Sequence, residues 1–190
     1  RLMIRQPRAS VTSRRRWKKT GAVFAKESWD ICRELLRRKV RPTAGQHHPG
    51  DRHGPVSKTR PPPVSPITTT ERLCLREMTT ADAEHAYLLN SDPEVVRHTG
   101  DGPFASPEAA RTFLAAYPDY RIHGFGRWAV VRSTDEAWLG WCGLKRHPNG
   151  DVDLGYRLMR RYWGQGYATE AGRACLDLGF DRFGLDLIIG

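Results

Sequence analysis

Residues 151–171 run Asp151-Val152-Asp153-Leu154-Gly155-Tyr156-Arg157-Leu158-Met159-Arg160-Arg161-Tyr162-Trp163-Gly164-Gln165-Gly166-Tyr167-Ala168-Thr169-Glu170-Ala171. The first eight alternate. Val152, Leu154, Tyr156 and Leu158 fall on one face and Asp151, Asp153, Gly155 and Arg157 on the other, the pattern of a half-buried strand. From Ala168 the period changes: Ala171, Ala174, Cys175 and Leu178 recur at i, i+3, i+4 and i+7, lining one helical face with small and medium apolar groups suited to a sheet. Strand, glycine loop and helix are therefore expected in that order.

The loop carries the chemistry. Gly164 and Gly166 allow backbone conformations that a side chain would block, so successive N–H groups at the helix start can turn toward one anion. An unsatisfied helix N-terminus carries about half a positive charge. Arg160 and Arg161 stand just upstream, and the planar guanidinium donates two parallel hydrogen bonds to phosphate. The stretch reads as a phosphate or pyrophosphate cradle, with a plain glycine turn as the bland alternative. A dinucleotide fingerprint would need G-x-G-x-x-G and a Walker loop a Gly-Lys-Ser/Thr ending. Neither spacing is present.

The run from Leu154 to Ala171 resembles the coenzyme A loop of the GNAT acyltransferase superfamily, Arg/Gln-x-x-Gly-x-Gly/Ala at the start of a helix. Arg161-x-x-Gly164-x-Gly166 fits its letters, whereas Trp163-x-x-Gly166-x-Ala168 fits the strand-to-helix distance better and places Trp where Arg or Gln is usual. The second register is favoured, because Trp-Gly-x-Gly-Tyr-Ala-Thr-Glu-Ala is similar to the ribosomal-protein N-terminal acetyltransferase branch. Thr70-Glu71-Arg72-Leu73-x-Leu75-Arg76, followed by Asp82, resembles the same branch. The likeness covers roughly residues 70 to 190.

What the resemblance implies is an α+β fold of mixed αβ content: a mostly antiparallel sheet with one βαβ cofactor unit. Acetyl-CoA would lay its pyrophosphate over the N–H groups of Gly164, Gln165, Gly166, Tyr167, Ala168 and Thr169, with Arg160 and Arg161 beside it. Its pantetheine arm would follow the strand edge beyond Tyr156, where a bulge would free the N–H of Leu158 to bond the thioester carbonyl and stabilise an oxyanion. An acceptor amine, from a protein N-terminus or a small molecule, would attack directly. Asp153, where relatives often have Glu, is the candidate base; a solvated carboxylate on an exposed strand face is the alternative. No metal is implied. Family members continue with a further helix and strands that commonly supply a Tyr acid and an Asn contact to the cofactor, so the fold is expected without them. That expectation leaves Leu187, Ile188 and Ile189 on an unpaired edge open to homodimerisation. The implied activity is N-acetyl transfer, the alternatives being an inactive truncated remnant or a nucleic-acid-binding basic tail on a degenerate domain.

Charge divides the 190 residues into two parts. Up to Ser65 there are 17 Lys or Arg against 4 Asp or Glu, so that of 31 basic and 21 acidic residues overall, 14 and 17 fall afterwards. Residues 1–67 therefore read as a basic, Pro-rich extension and 68–190 as the folded domain. The extension contains Arg14-Arg15-Arg16-Trp17-Lys18-Lys19 and a Pro, Gly, His and Thr-rich stretch from Pro42 to Pro66, a composition that buries too little apolar surface to offset an ordering entropy of roughly 1–2 kcal/mol per residue. Ser28 could cap a basic amphipathic helix over Trp29 to Val40, a surface for RNA, an anionic membrane or an import receptor. No apolar run is long enough to span a bilayer or form a secretory core. Cys32, Cys74, Cys142 and Cys175 lack metal-like spacing and read as reduced thiols of a cytoplasmic protein. His47, His48 and His53 have no partnering Cys and are not taken as a metal site.

Within the domain, Glu71 to Arg76 alternates as a first strand. Thr79 with Asp82 forms a capping-box signature for a helix to about Asn90, and Ser106 with Pro107 starts another that must end before Pro118. Arg127 to Val131 and Trp138 to Leu144 form a hairpin, Pro148-Asn149-Gly150 turns into the strand ending at Leu158, and Leu185 to Ile189 begins a strand parallel to it. Trp128, Trp138 and Trp141 read as core or cross-strand packing in preference to groove-lining rings.

Overall fold

The structure is a computed structural model that describes residues 3–5, 64–97 and 102–190. The basic run, the helix expected over 29–40, the three histidines, Cys32 and most of the proline-rich stretch lie outside the described residues.

The strands are β1 (Met3–Arg5), β2 (Pro66–Thr69), β3 (Leu73–Glu77), β4 (Arg127–Arg132), β5 (Trp138–Arg146), β6 (Val152–Leu158) and β7 (Leu187–Ile189). They form one sheet in the order β1-β7-β6-β5-β4-β3-β2. Every pairing is antiparallel except β6 with β7, which meet in a single parallel bridge between Asp153 and Ile189. The α+β expectation therefore holds, crossover unit included. The expected bare edge does not: Met3 to Arg5 pair antiparallel with Ile189 to Leu187, so a strand from the basic extension covers it.

Helices occupy both faces. On one side lie α1 (Ala83–Ser91) and α2 (Pro93–Val96), with α3 (Pro107–Ala115) packed on α1; α4 (Asp119–His123) sends Tyr120 to the opposite cluster, which α5 (Tyr167–Asp177) crosses. The turn before α1 is closed as its sequence foretold: the Thr79 hydroxyl accepts from the Ala81 N–H, and the Asp82 carboxylate accepts from the Thr79 N–H at 2.8 Å. Ser106 caps α3 by accepting from Ala109 at 3.2 Å. Such caps are worth about 1 kcal/mol each.

Under α5, Ala171 and Cys175 pack on Leu73, Leu75, Trp128, Val130, Cys142, Leu144 and Ile188, all fully enclosed. The Sγ atoms of Cys175 and Cys142 are 3.6 Å apart, and that contact together with burial pushes the Cys175 thiol well up. On the opposite face Leu89, Val95, Ala129, Trp138 and Met159 form a second cluster. Trp128 and Trp138 are thus core, as expected. Trp141 is half-buried between two guanidinium groups, Arg127 at 5.2 Å and Arg157 at 5.3 Å from its ring centre. Among the described residues no helix is long and apolar enough to cross a membrane.

Candidate cofactor site

The segment from Met159 to Thr169 joins β6 to α5 by a 3-10 turn over Arg160–Tyr162 and then the glycine loop. Gly164 has φ 74° and Gly166 φ 81°, a backbone region costly to residues with a side chain. Gly166 stands immediately before α5, so the two positive φ values bring the chain into the helix with its first N–H groups facing outward. No acceptor among the described residues meets the N–H groups of Gly164, Gln165, Gly166, Tyr167, Ala168 or Thr169; the ladder starts with Glu170 donating to the Gly166 carbonyl at 3.0 Å. No side chain caps the helix. Unsatisfied donors in a row, facing solvent at the positive end of a helix, suit an anion.

The surrounding side chains add charge. Arg160 and Arg161 are exposed with no carboxylate paired to them among the described residues. Arg161 lies over the Tyr162 ring at 4.9 Å, and its carbonyl accepts from the Gln165 amide at 3.0 Å. Tyr167 turns inward: its ring is buried under Arg72, and its hydroxyl accepts from Arg132.

A clasp that sequence reasoning missed holds the loop to the sheet. Glu170 accepts from the Thr70 hydroxyl at 2.6 Å, from the Arg72 N–H at 3.0 Å and from the Arg72 guanidinium at 2.7 Å. The same guanidinium donates to the Gln165 carbonyl at 3.1 Å, binding the loop backbone itself. Thr70-Glu71-Arg72 and Thr169-Glu170 both lie in stretches that carry the family resemblance. Nothing local in the sequence, however, says that side chains 98 positions apart meet. Partial burial pushes the Glu170 carboxyl up, but the bonds from Thr70 and Arg72 outweigh it, so it sits below the usual glutamate range. A carboxyl depressed on folding stabilises fully above its unfolded pKa, and the contribution is lost as pH falls through the lower folded value. Glu170→Gln is accordingly expected to cost about 1–2 kcal/mol, discounted because Arg72 is partly exposed. Thermal unfolding at neutral pH should register it, and the difference from the parent should shrink in acid.

Beside the loop, β6 turns half of its backbone groups away from β5. Met159 donates to the Leu139 carbonyl at 2.8 Å, which fixes the phase of the β5–β6 ladder: Asp153, Gly155 and Arg157 aim their backbone groups at β5, and Leu154, Tyr156 and Leu158 aim theirs the other way. Ile189 of β7 bridges Asp153, and among the described residues none stands opposite the N–H groups of Tyr156 and Leu158. The expected bulge is absent, since β6 keeps one register with β5 from Val152 to Leu158. In that regular ladder the Leu158 N–H points away from β5 without one. Tyr156 and Trp163, 59% and 47% exposed, flank the opening.

The pattern of an acetyltransferase (GNAT) domain matches residues 72–190. The chain belongs to the GNAT acetyltransferase family. An uncharacterized N-acetyltransferase, p20, from Bacillus licheniformis is 37% identical over 123 residues, covering 63% of this chain and 68% of that protein. The Aspergillus fumigatus protein named FsC-acetyl coenzyme A-N(2)-transacetylase is 31% identical over 139 residues, covering 67% of this chain and 58% of its own length. Among solved structures, an acetyltransferase from Agrobacterium tumefaciens superposes with a TM-score of 0.57 at 25% identity, over 70% of this chain and 77% of that one.

In this GNAT domain the exposed row of amides, the two open glycines and the neighbouring arginines fit the pyrophosphate of acetyl-CoA, the family's cosubstrate. Asp153 is placed differently from a free carboxylate on a solvated face. Its Oδ2 accepts from Arg127 at 2.6 Å and its Oδ1 from His147 Nε2 at 2.9 Å. Arg127 reaches across β5, donating to the Gly143 carbonyl and lying where a Cβ on Gly155 would be 2.7 Å away. Burial pushes that guanidinium down, and the charge and hydrogen bond of Asp153 more than restore it. On the same face Arg157 donates to Asn90 of α1. Among the described residues no group of three or more His, Cys, Asp or Glu is arranged to hold a metal.

Proposed function

We propose that this chain is an acetyl-CoA-dependent N-acetyltransferase acting on a primary amine, that of a protein N-terminus or of a small molecule. The row of unpartnered amides from Gly164 to Thr169 at the start of α5 supports this reading above any other feature. When bound, acetyl-CoA supplies an acyl group activated as a thioester. Gly164 to Thr169 would hold the pyrophosphate, with Arg160 and Arg161 adding long-range attraction. Tyr156 and Leu158 would offer their edge N–H groups to the pantetheine arm, and the Leu158 N–H would lie against the thioester carbonyl, where charge develops during attack. The chain's motifs favour a protein N-terminus as acceptor, and the name of the Aspergillus relative supports coenzyme A as the carrier.

For Asp153 we propose anchoring over proton transfer. Both its oxygens are engaged, one by a buried guanidinium, so taking a proton would break an ion pair in a poorly solvated place. The amine would then lose its proton to solvent before attack. Asp153→Asn tests this through the pH dependence of turnover. Anchoring leaves the shape of the profile unchanged while lowering thermal stability; loss of the acidic limb would make Asp153 the base after all. Thiol release from acetyl-CoA with a panel of peptides and small amines tests the activity itself, and binding without release from any of them would point to an inactive remnant.

A further inference from the structure

Of the two polar groups that Leu158 turns away from β5, one is already taken. The indole Nε1–H of Trp163 donates to the Leu158 carbonyl at 2.7 Å, while the Leu158 N–H shares that edge with no acceptor among the described residues. The indole is five residues further on, its ring nearly half exposed.

We propose that Trp163 is a positioning residue that converts the Leu158 peptide into a donor-only site, and so makes the pocket select an acylated coenzyme A over the free thiol. This rests on the acetyl-CoA reading above. The physical reason lies in strand geometry. N–H and C=O of one residue point to the same edge, so an unoccupied Leu158 would offer any ligand a donor and an acceptor together and would pair equally well with water or an amide. With its carbonyl held by the indole, the peptide plane is fixed and only the donor remains. A ligand carbonyl satisfies that donor, whereas a bare thiol is a weak acceptor. The ring also walls the opening, so donor and wall are separate contributions of one side chain.

Two substitutions separate them. Trp163→Phe keeps a ring and removes the donor; Trp163→Gln keeps a donor and removes the ring. Calorimetric titration of each protein with coenzyme A and with acetyl-CoA reads the ratio of the two dissociation constants without requiring turnover. The wild type is expected to favour acetyl-CoA by about fivefold, the effect of one net hydrogen bond. Trp163→Phe should bind both ligands nearly alike, and Trp163→Gln should keep the preference while binding both more weakly. Equal affinities in the wild type, a preference surviving in Trp163→Phe, or a preference lost in Trp163→Gln would each overturn the inference while leaving the transferase reading standing. If the wild type binds neither ligand, the transferase reading falls and this inference with it.

Discussion

Gly140→Ala is expected to leave little folded protein. Between β4 and β5 the register slips, Val130 facing Gly140 and Val131 facing Trp138, so that Leu139 is an extra residue and β5 bends. At the bend Gly140 has φ 150°, and a Cβ built on it would lie 2.1 Å from the Arg157 carbonyl oxygen and 2.7 Å from the Leu158 Cα. Both are backbone atoms of the next strand, so neither can swing away. Relief requires β5 and β6 to separate where they carry the pairing of Gly140 with Leu158 and the bond from Met159 to Leu139. A forced backbone contact in a central strand belongs with the largest single-residue effects, about 4 kcal/mol or more, a large share of the 5–15 kcal/mol that holds a domain together. Chemical denaturation should find the midpoint sharply lowered or the protein insoluble. A midpoint near the parent's would mean that the bulge is not as drawn.

Gly166→Val is expected to spare the fold and cost most of the affinity for coenzyme A. Here space is not the obstacle: a Cβ would meet only the Arg72 guanidinium, at an ordinary 3.5 Å. The obstacle is φ 81°, which a β-branched residue tolerates badly. The helix start would rotate toward negative φ, turning the Gly166 and Tyr167 N–H groups away from their shared direction. Two charge-assisted hydrogen bonds at about 1.5 kcal/mol each correspond to a loss of roughly a hundredfold in affinity. Because the clasp of Arg72 with Glu170 involves neither altered amide, thermal stability should fall by only about 1–2 kcal/mol. Wild-type affinity in this variant would place the pyrophosphate elsewhere.

These two glycines also mark how far the sequence could be read. The loop, its strand and its helix were legible because period and composition change sharply within a few residues, and the caps at Thr79 and Ser106 because a cap is a local bargain between neighbours. Segments without a pattern were missed: β2 begins at Pro66, α2 has four residues, and α4 has five, none fully enclosed. The anchor on which α4 depends lies outside it in sequence, since the Tyr117 hydroxyl accepts from the Arg127 N–H and Tyr120 donates to the Arg127 carbonyl. Burial raises both phenols above their ordinary range.

At the candidate site the backbone was legible and the partnerships were not. Positive φ at Gly164 and Gly166 follows from residue type, so the cradle could be expected. The engagement of Asp153 by Arg127 and His147 could not, because it depends on Arg127 crossing the paired glycines Gly143 and Gly155. Likewise the bulge expected in β6 does not form, because the register with β5 runs unbroken and already turns the Leu158 N–H to the far edge. The covered edge of β7 was unreadable for a different reason: three residues at the far end of the chain carry no signal of which strand they will join.

The most direct measurement is backbone amide hydrogen exchange, residue by residue, with and without saturating coenzyme A. Amides with no protein acceptor exchange freely until a ligand covers them. Slowing of the amides of Gly164 to Thr169, together with Tyr156 and Leu158 on the open edge, is the expected result. Binding of coenzyme A with those amides exchanging as fast as before would contradict it.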